Sequence, residues 1–209
     1  MKTLIVLLIS LVIAGCASGQ GGMFGPGRFE VVEADMRFSN TGNEVFTSRN
    51  NRISSKSIAG GVHIDGSGVF INPVLTRSSP GELLLLGFSI ENMTSHDTTF
   101  GSPNRLGNIQ RITFLIDGGD PIILSASSSS TDWSDVISYN TVTRSASSNI
   151  QESAMVSLSV DEYKRILGAN EMAVQIQGSI RTAVYENSDI SSSFIPNLRE
   201  FHDAFITVE

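Results

Sequence analysis

Residues 83–90 read Leu-Leu-Leu-Leu-Gly-Phe-Ser-Ile, a mostly apolar run that follows the turn signal Ser79-Pro80-Gly81. A run of this length bounded by a turn suits a β-strand buried on both faces, near the centre of a sheet. The rest of the chain reads as partners for it. Strand-like stretches fall at 29–38, 45–47, 69–76, 109–116, 121–125, 136–144, 150–158 and 172–185. Pro73 lacks a backbone donor, which places the stretch 69–76 at an edge or a bulge. Asp117-Gly118-Gly119-Asp120 lies between two apolar runs, and its glycines accept the positive φ of a hairpin turn. Residues 92–108 read as a polar loop, residues 127–135 as a serine-rich loop, and 145–149 as a break between strands.

Two helices complete the pattern. Ser159 and Glu162 form an S-x-x-E capping box, with Tyr163, Ile166 and Leu167 on one face and Gly168 as the stop. Over 190–206, Phe194, Leu198, Phe201 and Phe205 recur at helical spacing, and Pro196 falls in the first turn, where it is tolerated. The expected fold is mainly β: a single antiparallel β-sandwich or open roll with two short helices. The alternative is a partly closed barrel with the C-terminal helix plugging one end.

The N-terminus carries a different signal. Lys2 precedes an apolar stretch over residues 4–13, interrupted by Ser10, and Ile13-Ala14-Gly15-Cys16 follows. The stretch is shorter than the roughly 17–25 residues of a membrane span and fits a secretory leader. Its end resembles a bacterial lipobox at each position: aliphatic, small, small, cysteine. Gly15-Cys16-Ala17 also fits an ordinary signal-peptidase site, and an uncleaved segment is a further reading. The cysteine count favours lipid. Cys16 is the only cysteine, so no internal disulfide exists for it to join.

The lipoprotein resemblance implies removal of residues 1–15 and attachment of lipid through the Cys16 sulfur. Membrane binding through one acyl chain is marginal, whereas two or more anchor stably. Ala17, rather than an aspartate, implies the outer membrane in a Gram-negative host and the outer face of the plasma membrane in a Gram-positive one. Residues 16–27 are glycine-rich and uncharged, the composition of a flexible tether, with Met23 and Phe24 its two large apolar residues. Residues 28–209 then form one globular domain.

Charge bounds the partners. The chain has 14 Lys and Arg against 21 Asp and Glu; without Lys2 the balance is 13 against 21, a net charge of −8. Such a domain offers no electrostatic footprint for nucleic acid and no basic cluster for anionic lipid. The acidic surface argues against the domain lying flat on a membrane.

Chemistry-bearing patterns are sparse. His63 lies near Asp65, His96 beside Asp97 and His202 beside Asp203, but no zinc-type spacing joins them, and no metal or cofactor is expected. Asp65-Gly66-Ser67-Gly68 lacks the strand-turn-helix setting of a nucleophile elbow and reads as a turn. Asp117 and Asp120 lack the spaced oxygen ligands of a calcium loop. Trp133, the only tryptophan, is either a cap on the core, the more ordinary reading, or a stacking platform for a sugar ring. The expectation is a lipid-anchored cell-envelope binding or structural module with an envelope protein or glycan as partner. The alternative is an envelope hydrolase whose carboxylates converge only in three dimensions; no catalytic residue is identified from spacing.

Overall fold

The run at 83–90 is the first half of a longer strand. The computed structural model describes residues 27–34, 42–58, 63, 66–78, 81–98 and 104–206, and in it β5 extends over Leu83–Asp97. The lipobox and most of the tether lie outside the described residues, as do 35–38 of the first expected strand. In chain order the other strands are β1 (Glu30–Glu33), β2 (Glu44–Arg49), β3 (Arg52–Ser54), β4 (Gly68–Arg77), β6 (Ile109–Ile116), β7 (Ile122–Trp133), β8 (Ser138–Asn140), β9 (Ser145–Ser157), β10 (Met172–Gly178) and β11 (Thr182–Tyr185). The helices are α1 (Val160–Leu167) and α2 (Phe194–Phe205), the latter preceded by a 3-10 turn at Asn187–Asp189.

All eleven strands belong to one antiparallel sheet of order β1-β2-β4-β5-β9-β7-β6-β10-β11, with β3 on β4 and β8 on β9. The sheet is not closed into a barrel. It folds over itself at β7. Residues 122–125 of β7 pair with β6, residues 126–133 pair with β9, and a register shift separates Ala126 from Ser128. A bulge lets one strand leave one layer and enter the other. The two layers share one core, in which Phe88 of β5 lies 6.0 Å from Phe114 of β6 and stacks on Tyr163 of α1 at 5.6 Å.

β5 is central, between β4 and β9, but its run is not buried on both faces along its whole length. Leu84 is 51% exposed, because pairing with β9 begins only at Gly87. Pro73 likewise stands inside the sheet, not at an edge. Ile71 N–H donates to the Asn51 carbonyl, so the nitrogen of Pro73, two residues on, faces the same side. There the pairing with β2 stops at Val74 and that with β3 reaches only to Phe70, so no ladder bond is lost.

Five expected loops or strands change character. Residues 92–97 continue β5, with Asn92 and Thr94 buried and paired to β9. Residues 127–133 are strand, not loop: their backbone joins β9, and the Ser130 and Ser153 hydroxyls lie 2.8 Å apart. Residues 145–149 are the start of β9 rather than a break. Conversely, 172–185 is a hairpin of two strands. Gly178 packs its Cα against the Leu106 carbonyl with no room for a Cβ, and the chain turns there. The stretch 136–144 keeps only β8 and a turn.

Both helices form as their sequences imply. Ser159 N–H donates to Glu162 Oε2 at 2.7 Å, and Glu162 N–H donates to Ser159 Oγ at 3.2 Å. Phe194, Leu198 and Phe201 are fully buried, and Phe205 stacks on Phe46 of β2 at 4.5 Å. The Tyr163 hydroxyl donates to the Leu198 carbonyl at 2.9 Å and joins the helices. Truncating Phe201 to Ala leaves a cavity where helix and sheet meet. The expected loss is ~3–5 kcal/mol of unfolding free energy, read by denaturant melting of the purified protein; an unchanged midpoint would show that α2 does not hold the core.

Candidate functional site

One end of the sheet departs from the apolar pattern. The inward positions of β5 run Leu86, Phe88, Ile90, Asn92, Thr94, becoming polar as the strand proceeds. On β9, inward-facing Glu152 lies beside Asn92 and is fully buried. Its carboxylate accepts from Asn92 Nδ2 at 2.7 Å, from Leu106 N–H at 2.7 Å and from Gly107 N–H at 2.6 Å. Three donors satisfy a charge that would otherwise be costly to bury. Gly107 has φ +80°, and a Cβ there would strike Ser179 and Ile180. The Glu152 carboxylate thereby fixes the segment 104–108 to the sheet.

That segment presents Arg105, whose guanidinium carbon lies 5.9 Å from the ring centroid of Trp133. His96 of β5 meets the same ring edge-on at 6.2 Å. Trp133 itself is 48% exposed, so it is not the core cap that its isolation suggested. It is opposite the buried Ile150 in the register, at the last position of β7, with its own ring left at the surface. Its ring lines a cleft of about 680 Å³, within the range of ligand sites.

The cleft gathers chain segments far apart in sequence. Asp132 and Trp133 come from β7, Asn149 and Gln151 from β9, Phe70 from β4 and Met93 from β5, with Asn50 and Gly27 at its side. Amide, hydroxyl and carboxylate groups thus surround one exposed indole. Asp132 is the single carboxylate among the described lining residues, and it accepts from Ser130 Oγ at 3.3 Å. Gly66 and Ser67 of the glycine-serine motif line the same cleft, while Asp65 lies outside the described residues.

The remaining candidates are dispersed. Asp97 accepts from the Ser145 and Ser147 hydroxyls at the far end of β5. His202 lies on α2, stacked on Tyr163 at 6.0 Å, with its Nδ1 3.0 Å from Asp203. Among the described residues no three His, Cys, Asp or Glu side chains gather as metal ligands. Asp117 and Gly118 have φ of 50° and 66° in the β6–β7 turn, and Asp117 Oδ1 accepts from Asn170 and Glu171 N–H. No helix among the described residues is long and apolar enough to cross a membrane.

A second cleft, about 730 Å³, lies between β3 and the start of α2. Asp189 on its wall pairs with Lys56 at 2.6 Å. The Lys56 hydrogen bond, then the Glu186 N–H, hold the Asp189 carboxyl below its usual range. Glu152 and Arg105 were not singled out by sequence reasoning. Glu152 had a signal: it occupies the inward register of an alternating strand, between Ile150 and Ala154. Arg105 had none. Compared with protein-family models, curated proteins and solved structures, the chain has no significant match.

Two outcomes test this geometry. Glu152→Gln turns an amide NH2 toward a backbone N–H and forfeits a charge-assisted bond, so unfolding free energy falls by ~2–3 kcal/mol and Trp133 emission shifts as Arg105 loosens. Unchanged stability and emission would show that Glu152 does not fix this loop. A depressed carboxylate pKa adds stability above the unfolded value, lost as pH falls through the folded one. The difference in melting temperature between wild type and Asp189→Asn is therefore present at neutral pH and fades below about pH 4; a constant difference down to pH 2 would contradict the pairing.

Proposed function

We propose that the protein is a lipid-anchored bacterial cell-envelope binding module whose Trp133 cleft takes a glycan. Residues 1–15 act as the leader, Cys16 carries the lipid on its sulfur, and the glycine-rich segment tethers the domain. With Ala17 after the cysteine, the outer membrane is the proposed site in a Gram-negative host.

The observation that carries the binding reading is the half-exposed Trp133 in a cleft edged by Asn50, Asp132, Asn149 and Gln151. An aromatic face stacks on the apolar side of a pyranose ring, while amides and carboxylates pair with its hydroxyls. The alternative, a hydrolase, would need a second carboxylate across the scissile bond from Asp132, roughly 5–10 Å away.

Trp133 is the only tryptophan, so its fluorescence reports on this cleft alone. Titration with soluble fragments of cell-wall glycan is expected to shift and saturate the emission, and Trp133→Ala to weaken retention on insoluble sacculi by about tenfold, ~1.4 kcal/mol. Flat titrations together with unchanged retention would sink the glycan reading. Mass spectrometry of the N-terminal peptide tests anchoring separately: a diacylglyceryl-modified Cys16 is expected, and an unmodified terminus at Ala17 or Ser18 would refute it.

A further inference from the structure

Beyond the cleft, the chain forms an arm that takes no part in the core. Every residue over 132–144 is exposed. Within it Val136, Ile137 and Tyr139 are each about 60% exposed and Val142 is 91% exposed. Its shape is nonetheless specified. Ser134 and Ile137 N–H donate to the Asn149 and Ser147 carbonyls, and Ser138, Tyr139 and Asn140 pair with Ser147, Ala146 and Ser145. Asn140 Oδ1 then accepts from both Val142 and Thr143 N–H, and Arg144 takes φ +56°. A built turn that holds a valine in water needs something to cover it.

The entry point of the chain says what lies nearby. Gly27 lines the cleft beside Trp133 and Ser134, at the root of the arm. Ten residues separate it from Cys16, and the eleven steps limit the distance to about 40 Å, with a typical reach of roughly 17–20 Å for a chain of this composition. The exposed Leu83 and Leu84 lie at the start of β5, a strand about 50 Å long whose other end, Asp97, pairs with β9 beside the arm. A lipid on Cys16 therefore keeps the bilayer next to the arm and away from Leu84.

We propose that the arm over 132–144 is a membrane-contact element, seating Val136, Ile137, Tyr139 and Val142 in the outer layer of the bilayer to which Cys16 is anchored. It rests on the lipoprotein reading. Valine and isoleucine supply apolar area, and Tyr139 suits the headgroup level, where aromatic rings with a polar edge collect. The acidic domain, with Asp132 and Asp135 exposed in the arm itself, gains nothing from anionic lipid, so the contact rests on apolar area. One anchor by itself leaves the domain free to tumble; anchor and arm together fix its orientation and set the Trp133 cleft at the membrane surface.

The test uses full-length lipidated protein in phosphatidylcholine vesicles. Val142→Cys and Leu84→Cys each add one free thiol, since lipid occupies the sulfur of Cys16, and both positions are exposed enough to tolerate the change. With a nitrobenzoxadiazole label on each, spin-labelled acyl chains are expected to quench the label at 142 several-fold more than the label at 84. Equal, water-like signals from both on vesicle-bound protein with a lipidated Cys16 would overturn the arm and leave anchoring intact. Protein that fails to float with the vesicles and shows an unmodified Cys16 peptide would overturn anchoring, and the arm with it. Protection of position 142 in intact cells but not on pure lipid would overturn the membrane assignment in favour of a protein partner.

Discussion

A single buried carboxylate organises the polar end of this molecule. Glu152 is fully enclosed and accepts from one side-chain amide and two backbone N–H groups. Two of those donors belong to the segment that leads into β6, so the bond joins one layer of the sheet to the start of the other. It also fixes where Arg105 lies against Trp133. An apolar residue at 152 would pack, but it would leave the Leu106 and Gly107 N–H groups buried without acceptors, a larger loss than the bond itself is worth.

The interior therefore has two chemistries along one axis. At one end, Phe88, Phe114 and Tyr163 stack beneath the helices, and the Tyr163 hydroxyl donates to a backbone carbonyl of α2. Its burial pushes its ionisation far above the ordinary tyrosine range. At the other end Asn92, Thr94 and Glu152 take inward positions beside Ile150, and the aromatic ring of Trp133 is half exposed. The apolar stacking is concentrated where the helices dock, and the cleft opens at the other end. The layer switch in β7 links them, since its first residues pack in the apolar half and its last ones line the cleft.

The legible parts of the sequence were those where a local rule and the packed structure agree. The capping box at Ser159 and Glu162, the stripe from Phe194 to Phe201 and the glycine turn after β6 each need only their own neighbours to form. The serine-rich stretch before Trp133 misled because serine is a turn residue by propensity, yet its small hydroxyls fit a strand whose partner, β9, is supplied from elsewhere. The polar half of β5 read as loop for the same reason: Asn92 is tolerable in a strand interior only when Glu152, sixty residues away, accepts a hydrogen bond from its side-chain amide. A cleft assembled from β4, β5, β7 and β9 has no spacing in the sequence to betray it.

That separation also has a kinetic side. β5 is flanked by β4, reached through a short turn, and by β9, reached only after three further strands and the bulged corner have been made. Pairings that close long loops come late and slowly, on the millisecond-to-second scale for domains dominated by them. Until β9 arrives, Glu152 remains in water, the segment 104–108 has nothing to hold it, and the apolar half of β5 lacks its second neighbour. The same strand order that hides the cleft from the sequence makes it the last part of the domain to mature, so a partly folded chain whose helices have docked but whose β9 has not would hold most of its apolar core and no cleft at all.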